Sequence, residues 1–564
     1  MSSSMVSSQT FALLVPEILL VVAALVAFLG AAFAGLRAGW AVALLGILAA
    51  MAVSGGQPAE GVWLASGGVR IDAFSSFVRW AVLALGGILA LVQAGDIFRS
   101  AITRGGGFER SATAAGTGEE AGTFLLLLAG LSLAAVADDL VLLFVGLELV
   151  SIPTYVLLGL KRTDAHGQEA SLKYFFLSLV ASALFLYAVV CLYGIGGSTS
   201  LTAIGARLRS SAEAQVAVAG VLLPVAIGMT LAGAAFRLAA VPMHFYAPDV
   251  YEGTSPGNAA LLSTLPKVAG LVVLARLLGL AIAPDGPGEP AVGAAAMAHL
   301  ALYWRVAAVL AAVTMTVGNV MALMQRNLRR LLACSSIAHA GYLLVGIATA
   351  AAAAAARTDV EGRPAADITW TFGLGGVSAS LFYLMTYALA TLGLFAAIAY
   401  LGHRWPEWSA GSGPRPPREE ISSVDDLDGL SSTNPVAAFA ITLFLLSLAG
   451  IPPLPGFWGK LSLAVTALEV DWNSPILPGS RRAWFVALAV ILVVNAAIAA
   501  AYYLRIIAAM YFRSTRRGVQ SDGGLAAGVA MLLCTALVLM VTLQPRGLFV
   551  SSTRAGSVVE RGSP

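Results

Sequence analysis

Charge is scarce in this sequence, and one kind of charge is nearly missing. Of 564 residues only 11% are Asp, Glu, Lys or Arg, against about a quarter in ordinary soluble domains. Lysine occurs four times, at Lys161, Lys173, Lys267 and Lys460, beside 29 arginines. Cys191, Cys334 and Cys534 lie far apart in apolar surroundings without CxxC or CxxxH spacing, which excludes a disulfide framework and a zinc or iron–sulfur site. No GxGxxG, Walker or metal-ligand spacing occurs, so the chain is expected to bind no nucleotide, metal or other cofactor itself. A net charge of +3 with no basic stripe argues against a nucleic-acid partner. No segments alternate polar and apolar residues as a transmembrane β-barrel requires.

What is present is hydrocarbon. Hydrophobic residues make up 59% of the chain and the mean hydropathy is +0.85. A bilayer core of roughly 30 Å takes about 20 apolar residues in a helix. Fourteen stretches qualify, near 11–34, 38–54, 74–94, 122–137, 140–160, 171–195, 216–245, 257–283, 301–325, 328–350, 371–402, 435–469, 482–512 and 524–545. The expected fold is therefore an all-α polytopic membrane protein. The first stretch lacks the basic flank and cleavage site of a signal peptide. Alternate loops collect Arg99, Arg104, Arg110, Lys161, Arg162, Arg326, Arg329, Arg330, Arg404, Arg415, Arg418, Arg513, Arg516 and Arg517, against fewer on the other side, mainly Arg70, Arg207, Arg209, Arg357, Arg363, Arg481 and Arg482. The positive-inside rule then predicts both termini on the outer side. Segments 95–121 and 403–434 read as solvated connections, and the alanine run 350–356 as the end of a helix.

The placement of the lysines carries chemical information. Lys161 lies in a loop, whereas Lys173, Lys267 and Lys460 fall at or inside apolar stretches. Arginine stays protonated in effectively any protein environment, but a desolvated lysine can release its proton. A lysine in hydrocarbon thus suggests a group that switches charge, where a fixed anchor could equally be arginine. Each interior charge costs roughly 2.5–3.5 kcal/mol on insertion scales, so Glu148, Arg237, Lys267 and Lys460 need partners or an aqueous cavity. Glu148 reads as a buried carboxylate, and Arg237 as a proton carrier or a fixed ion-pair partner. Lys173, opening its helix after Glu169, reads equally as an interfacial or a functional lysine. His339 sits mid-helix, where a hydrogen-bonded neutral imidazole and a relay role compete. Glu17 is expected only to complement a helix dipole.

Two long stretches are interrupted. Pro452, Pro453 and Pro455 with Gly450, Gly456 and Gly459 precede Lys460, and Pro242 follows Arg237. Proline breaks the hydrogen-bond ladder, and a broken helix survives in a bilayer only where protein or water satisfies the freed carbonyls. An interrupted helix with an interior cation is the pattern of transporters built from inverted repeats.

The segment Phe236-Arg237-Leu238-Ala239-Ala240-Val241-Pro242-Met243-His244-Phe245-Tyr246-Ala247-Pro248-Asp249-Val250-Tyr251-Glu252-Gly253 with Leu265-Pro266-Lys267 resembles the antiporter-like membrane-subunit family of bacterial NADH:quinone oxidoreductase (respiratory complex I), in its N branch. So do Leu147-Glu148-Leu149, Glu169 to Phe175, Asn327 to His339, and Gly450 to Lys460. The resemblance implies fourteen helices with two inverted five-helix repeats and two discontinuous helices, the seventh and twelfth. It divides the chain into an N-terminal part at 1–121, repeats at 122–283 and 301–512, and a C-terminal helix and tail at 524–564. It implies a proton pathway through Glu148, Lys173, Arg237, Lys267, His339 and Lys460, with Arg237 where the family usually carries lysine. It further implies work within a complex whose NADH, FMN, iron–sulfur clusters and quinone belong to other subunits, with antiporter-like and small membrane subunits as partners in the bacterial inner membrane. A multi-subunit cation/proton antiporter, a membrane-bound hydrogenase subunit and a non-pumping scaffold stand as alternatives.

Overall fold

The computed structural model describes residues 8–34, 38–57, 62–64, 68–103, 110–161, 164–209, 213–282, 294–358, 375–404, 419–472, 474–514, 519–521 and 523–560. Thirteen helices in it are long and apolar enough to cross a membrane. In chain order the spans are Val15–Ala34, Gly39–Gly56, Ala73–Thr103, Arg110–Val136, Leu140–Lys161, Ala165–Gly196, Glu213–Leu238, Pro256–Gly279, Ala294–Met324, Leu328–Thr358, Gly376–Leu401, then the thirteenth, Arg481–Phe512, and the fourteenth, Gly524–Leu543. Between the eleventh and thirteenth lie two half-length helices, Pro435–Ala449 and Pro455–Glu469. Together they form the twelfth, which is why one of the fourteen expected stretches does not appear as a single helix. The seventh continues beyond its break as the short helix Ala247–Gly253.

Local chemistry sets these boundaries. Asp138 and Asp139 separate the fourth and fifth spans, and Asp139 Oδ1 caps the fifth by accepting the Val141 and Leu142 N–H groups at 2.8 and 3.2 Å. Ser255, followed by Pro256, caps the eighth, and Ser480 caps the thirteenth. Such side-chain acceptors satisfy amides that a helix start leaves unpaired. The sixth ends on Gly197 in the left-handed region, where a Cβ is unfavourable.

The eighth, tenth and eleventh spans are enclosed almost entirely, while the first, second, thirteenth and fourteenth sit at the periphery. Small residues allow the inner helices to approach closely. A Cβ on Gly318 would lie 2.5 Å from the Ala338 nitrogen, and one on Gly341 2.6 Å from that of Met315. Without a hydrophobic drive between helices in lipid, such packing supplies much of the association.

Both polar connections hold more structure than expected. The third span runs to Thr103 and the fourth begins at Arg110, so the 95–121 loop shrinks to 104–109, outside the described residues. In the 403–434 segment, positions 405–418 are likewise outside them, but the remainder docks onto the helices. Ile421, Val424, Leu427 and Leu430 are buried, and the Leu328 N–H donates to Ser422 O at 2.7 Å. Short strands join this end, with Gly402–Arg404 pairing antiparallel to Glu419–Glu420 and Val519–Ser521. At the opposite end a hairpin pairs Val62–Leu64 with Val69–Ile71. There the tail forms a helix, Arg546–Glu560, whose Glu560 accepts the Val377 N–H at 2.7 Å.

Candidate functional site: two helix breaks around a buried histidine

The seventh and twelfth spans stop in the same way. Ala239 (φ 57°) and Gly450 (φ 86°) adopt the left-handed region, and each is followed three positions later by a cis proline, Pro242 or Pro453. The next amide reaches back five residues at both places, Ala240 N–H to Ala235 O at 2.7 Å and Ile451 N–H to Leu446 O at 3.1 Å. Nearby helical carbonyls lose their intrahelical donors.

A lysine fills each gap. Lys267, on the eighth span and 1% exposed, donates to Leu238 O at 2.6 Å and to Ser336 O at 2.8 Å. Lys460, in the second half of the twelfth and also buried, donates to Leu448 O at 2.8 Å and Ala449 O at 2.9 Å. Among the described residues neither ammonium has a carboxylate partner. Aromatic faces stand nearby, with Tyr387 5.8 Å from Lys267 and Tyr342 5.0 Å from Lys460.

His339 lies between them on the tenth span. Its Nδ1 faces the Tyr383 hydroxyl at 2.5 Å and its Nε2 the Tyr503 hydroxyl at 3.0 Å. The Tyr387 ring packs on the imidazole with centroids 4.7 Å apart. Ser336 accepts from Tyr387 at 2.9 Å and pairs with Tyr251 at 3.3 Å. Hydroxyls and the imidazole therefore occupy much of the space separating the lysines.

The other expected residues are distributed differently. Arg237 is buried, donating to Ser151 Oγ at 2.8 Å and Leu147 O at 3.2 Å. Its ion pair with Glu148 is looser, at 3.7 Å. Glu148 was expected to be buried, yet its side chain is 25% exposed and accepts from Ser182 at 2.5 Å. The fifth span carries it, beside Ser182 of the sixth, on a face that the chain itself leaves partly uncovered. Lys173 lies apart from the central cluster. It is 39% exposed and bridges Glu169 and Asp249, both at 2.7 Å, while Arg330 ties Asp249 to Glu252.

Sequence reasoning missed the tyrosines. Tyr342, Tyr383, Tyr387 and Tyr503 are buried against His339, with Tyr251 beside Ser336 and Tyr502 beside Tyr503 buried behind them, yet a tyrosine in an apolar run reads as core. The spacing of Tyr383 and Tyr387, four apart on one helix face, was the available signal. Two buried ion pairs were also missed. Arg79 clamps Glu17 through bonds of 2.9 and 2.8 Å, so Glu17 is a fixed partner rather than a dipole complement. Arg276 holds Asp72 at 2.8 Å just outside the third span. Burial alone would raise the Asp72 carboxyl, but Arg276 and then Arg70 outweigh it and keep the group below the ordinary carboxylate range. Among the described residues no three His, Cys, Asp or Glu side chains converge as a metal site.

Comparison with known proteins agrees with this architecture. A family described as "NADH:quinone oxidoreductase/Mrp antiporter, TM" matches residues 137–358 and 368–485. NADH-quinone oxidoreductase subunit N of Anaeromyxobacter sp. (strain Fw109-5) is 36% identical over 508 residues, covering 88% of this chain and 86% of that one. The chain belongs to the N subunits of this family. The N subunit of Myxococcus xanthus is 32% identical over 98% of both chains. A chain of Thermus thermophilus respiratory complex I with bound aureothin superposes with a TM-score of 0.67 at 26% identity, covering 95% of this chain and 98% of that one. A chain of the Mrp complex of Dietzia sp. DQ12-45-1b, at 22% identity and TM-score 0.68 over 97% of each, shares the fold. This N subunit is a multi-pass, proton-translocating membrane component of NADH:quinone oxidoreductase, working with other membrane subunits.

Proposed function

We propose that protons cross this subunit along an axis formed by Lys267, His339 and Lys460, controlled from the side by Glu148 and Arg237. The supporting observation is that each lysine caps a broken helix and has two carbonyl acceptors in all. A neutral amine has two N–H donors and a lone pair, and an ammonium has three N–H donors. Two acceptors serve both states, so the third proton can leave without either bond being lost. An arginine could not take part in such an exchange.

Arg237 then acts as a fixed charge. Tightening its loose pair with Glu148 neutralises it and favours protonation of Lys267, and opening the pair disfavours it. Quinone reduction elsewhere in the complex would drive this change through buried charges of the partner subunits. The uncovered face around Glu148 and the surface pairing of Lys173 with Asp249 suit a connection to those partners. Lys173 serves as an element of that entrance rather than of the central axis.

The parallel breaks support repeats at 122–283 and 301–512, flanked by the N-terminal part at 1–121 and the C-terminal part at 524–564. The arginine-rich end with Arg326, Arg329, Arg330 and Arg513 supports a cytoplasmic position for that end, hence both termini on the outer side of the bacterial inner membrane. NADH, FMN, iron–sulfur clusters and quinone would be handled by other subunits. The deciding experiment is Lys267→Ala in the assembled complex. NADH-driven proton pumping in membrane vesicles should be mostly lost, and near-normal pumping would remove this role.

A further inference from the structure

The C-terminal helix roofs a groove that enters the membrane. Arg546–Glu560 follows the fourteenth span after two residues and buries Ser552, Ala555, Gly556 and Val559, positions that share one helix face. That face is fastened to the eleventh span. Phe549 stacks on Phe382 with ring centroids 4.0 Å apart, Glu560 accepts the Val377 N–H at 2.7 Å, and a Cβ on Gly556 would collide with Ser378. The opposite face presents Val550, Ser551 and Arg554 outward. An amphipathic helix joined so closely to a span lies at the membrane interface.

Between this helix and the third and eleventh spans lies a cavity of about 410 Å³. Ala73, Ser76, Phe77, Trp80, Ala81 and Ala84 of the third span form its long wall. Their spacing of three and four traces a single stripe down that helix. From Ala73 to Ala84 the stripe is about 16 Å long, roughly half of a 30 Å bilayer core. Met385 lines the cavity at a similar depth, about 13 Å from the start of the eleventh span. Ser551 and Arg554 stand at the shallow end. The groove is therefore one leaflet deep, apolar along its length and basic at its mouth. Among the described residues its lining carries no acid. Trp80 is 41% exposed, so the long wall opens sideways rather than into the bundle.

We propose that this groove holds one acyl chain of a membrane phospholipid, with the lipid phosphate paired to Arg554. Width decides against a protein segment. A helix about 10 Å across fills as much space in a single turn of about 5.4 Å, so no transmembrane helix fits. An extended chain of methylenes does fit, and it gains dispersion contacts along the whole stripe. A guanidinium meets a phosphate through two parallel N–H donors, which anchors the chain at one end. Met385 lies between Tyr383 and Tyr387 in sequence, about 200° around the helix from each. The bound chain thus braces the back of the helix whose front holds two partners of His339.

The test uses the intact complex in vesicles that contain phosphatidylglycerol with a diazirine on one acyl chain. The complex is extracted and washed in lipid-free detergent before illumination, so that only retained lipid is captured. Peptide mass mapping should place the adduct on residues 73–84 and 385. Little should remain on Leu25 and Leu29, which face outward on the first span. Arg554→Gln, at an exposed position, should lower the retained adduct about three- to tenfold, the worth of one charged hydrogen bond near the surface. Ala84→Phe fills the deep end and should lower it as far with Arg554 intact. NADH oxidation reports assembly of both variants, and if Ala84→Phe fails to assemble, Arg554→Gln decides alone. Equal adduct in wild type and Arg554→Gln would overturn the proposal. So would an adduct absent from the groove, or capture of another subunit by a photoreactive amino acid replacing Phe77.

Discussion

The breaks in the seventh and twelfth spans share one backbone design and differ in what is attached to it. Both place a left-handed residue three positions before a proline and leave carbonyls to a lysine. At the twelfth, Lys460 belongs to the same span, so its bonds join two halves of one helix. At the seventh, Lys267 comes from the eighth span and also holds Ser336 O on the tenth, so one ammonium ties three helices together. A cation, Arg237, lies two residues before the left-handed residue of the first break and has an acid beside it. The second break has a lysine after it and, among the described residues, no acid. The comparison teaches that the helix break supplies acceptors only. The origin of the capping lysine decides whether a change of charge stays local or reaches the neighbouring helices.

The largest expected effect contrasts the caps. Lys267→Ala should lower both pumping and the heat stability of the assembled complex, because three helices lose a common donor. Lys460→Ala should impair pumping with a smaller loss of stability. Thermal inactivation of both variants beside their pumping checks this, and equal stability losses would erase the distinction. Next come the left-handed residues. Gly450→Ala places a Cβ 2.9 Å from Lys460 Cδ at a positive φ and should cost about 1–3 kcal/mol. Ala239→Gly should instead stabilise by about 1 kcal/mol, read as a higher inactivation temperature with pumping retained.

Smaller still is Arg237→Lys. If the residue provides only a fixed charge, turnover should stay near wild type, and blocked turnover would show that the bonds to Ser151 and Leu147 O have a geometric role. The smallest response concerns Asp72, which anchors the Lys267-bearing eighth span through Arg276. A carboxyl held below its ordinary range contributes stability that is full above that range and is lost only as pH falls through the lowered value. The difference in thermal midpoint between wild type and Asp72→Asn should therefore be flat from pH 8 to about 5 and shrink only below about 4. A decline already at pH 6 would contradict the sign of this shift.

Much of the site was legible because hydrocarbon makes charge conspicuous. The scarcity of lysine singled out Lys267 and Lys460, and the prolines marked both breaks. Lys173 was ambiguous for a physical reason, since a lysine near a helix end can reach water or a partner equally well. Its exposed bridge to Glu169 and Asp249 placed it outside the central cluster. Glu148 was expected to be enclosed because sequence shows that a residue lies within a span but not which way it faces. Tyr383, Tyr387 and Tyr503 passed unnoticed because uncharged polar residues are cheap enough in an apolar helix to carry no signal alone.

Composition and the lengths of its apolar runs by themselves determined that this chain is a multi-pass membrane protein, where two of its helices must break, and which ammonium groups would be buried. Those properties follow from the cost of moving single residues and single peptide groups out of water, a cost each position bears alone. Which carbonyls the lysines cap and which tyrosines flank His339 were decided only by the tertiary structure. A hydrogen bond needs two partners within about 3 Å, and His339 meets Tyr503 across 164 positions of the chain.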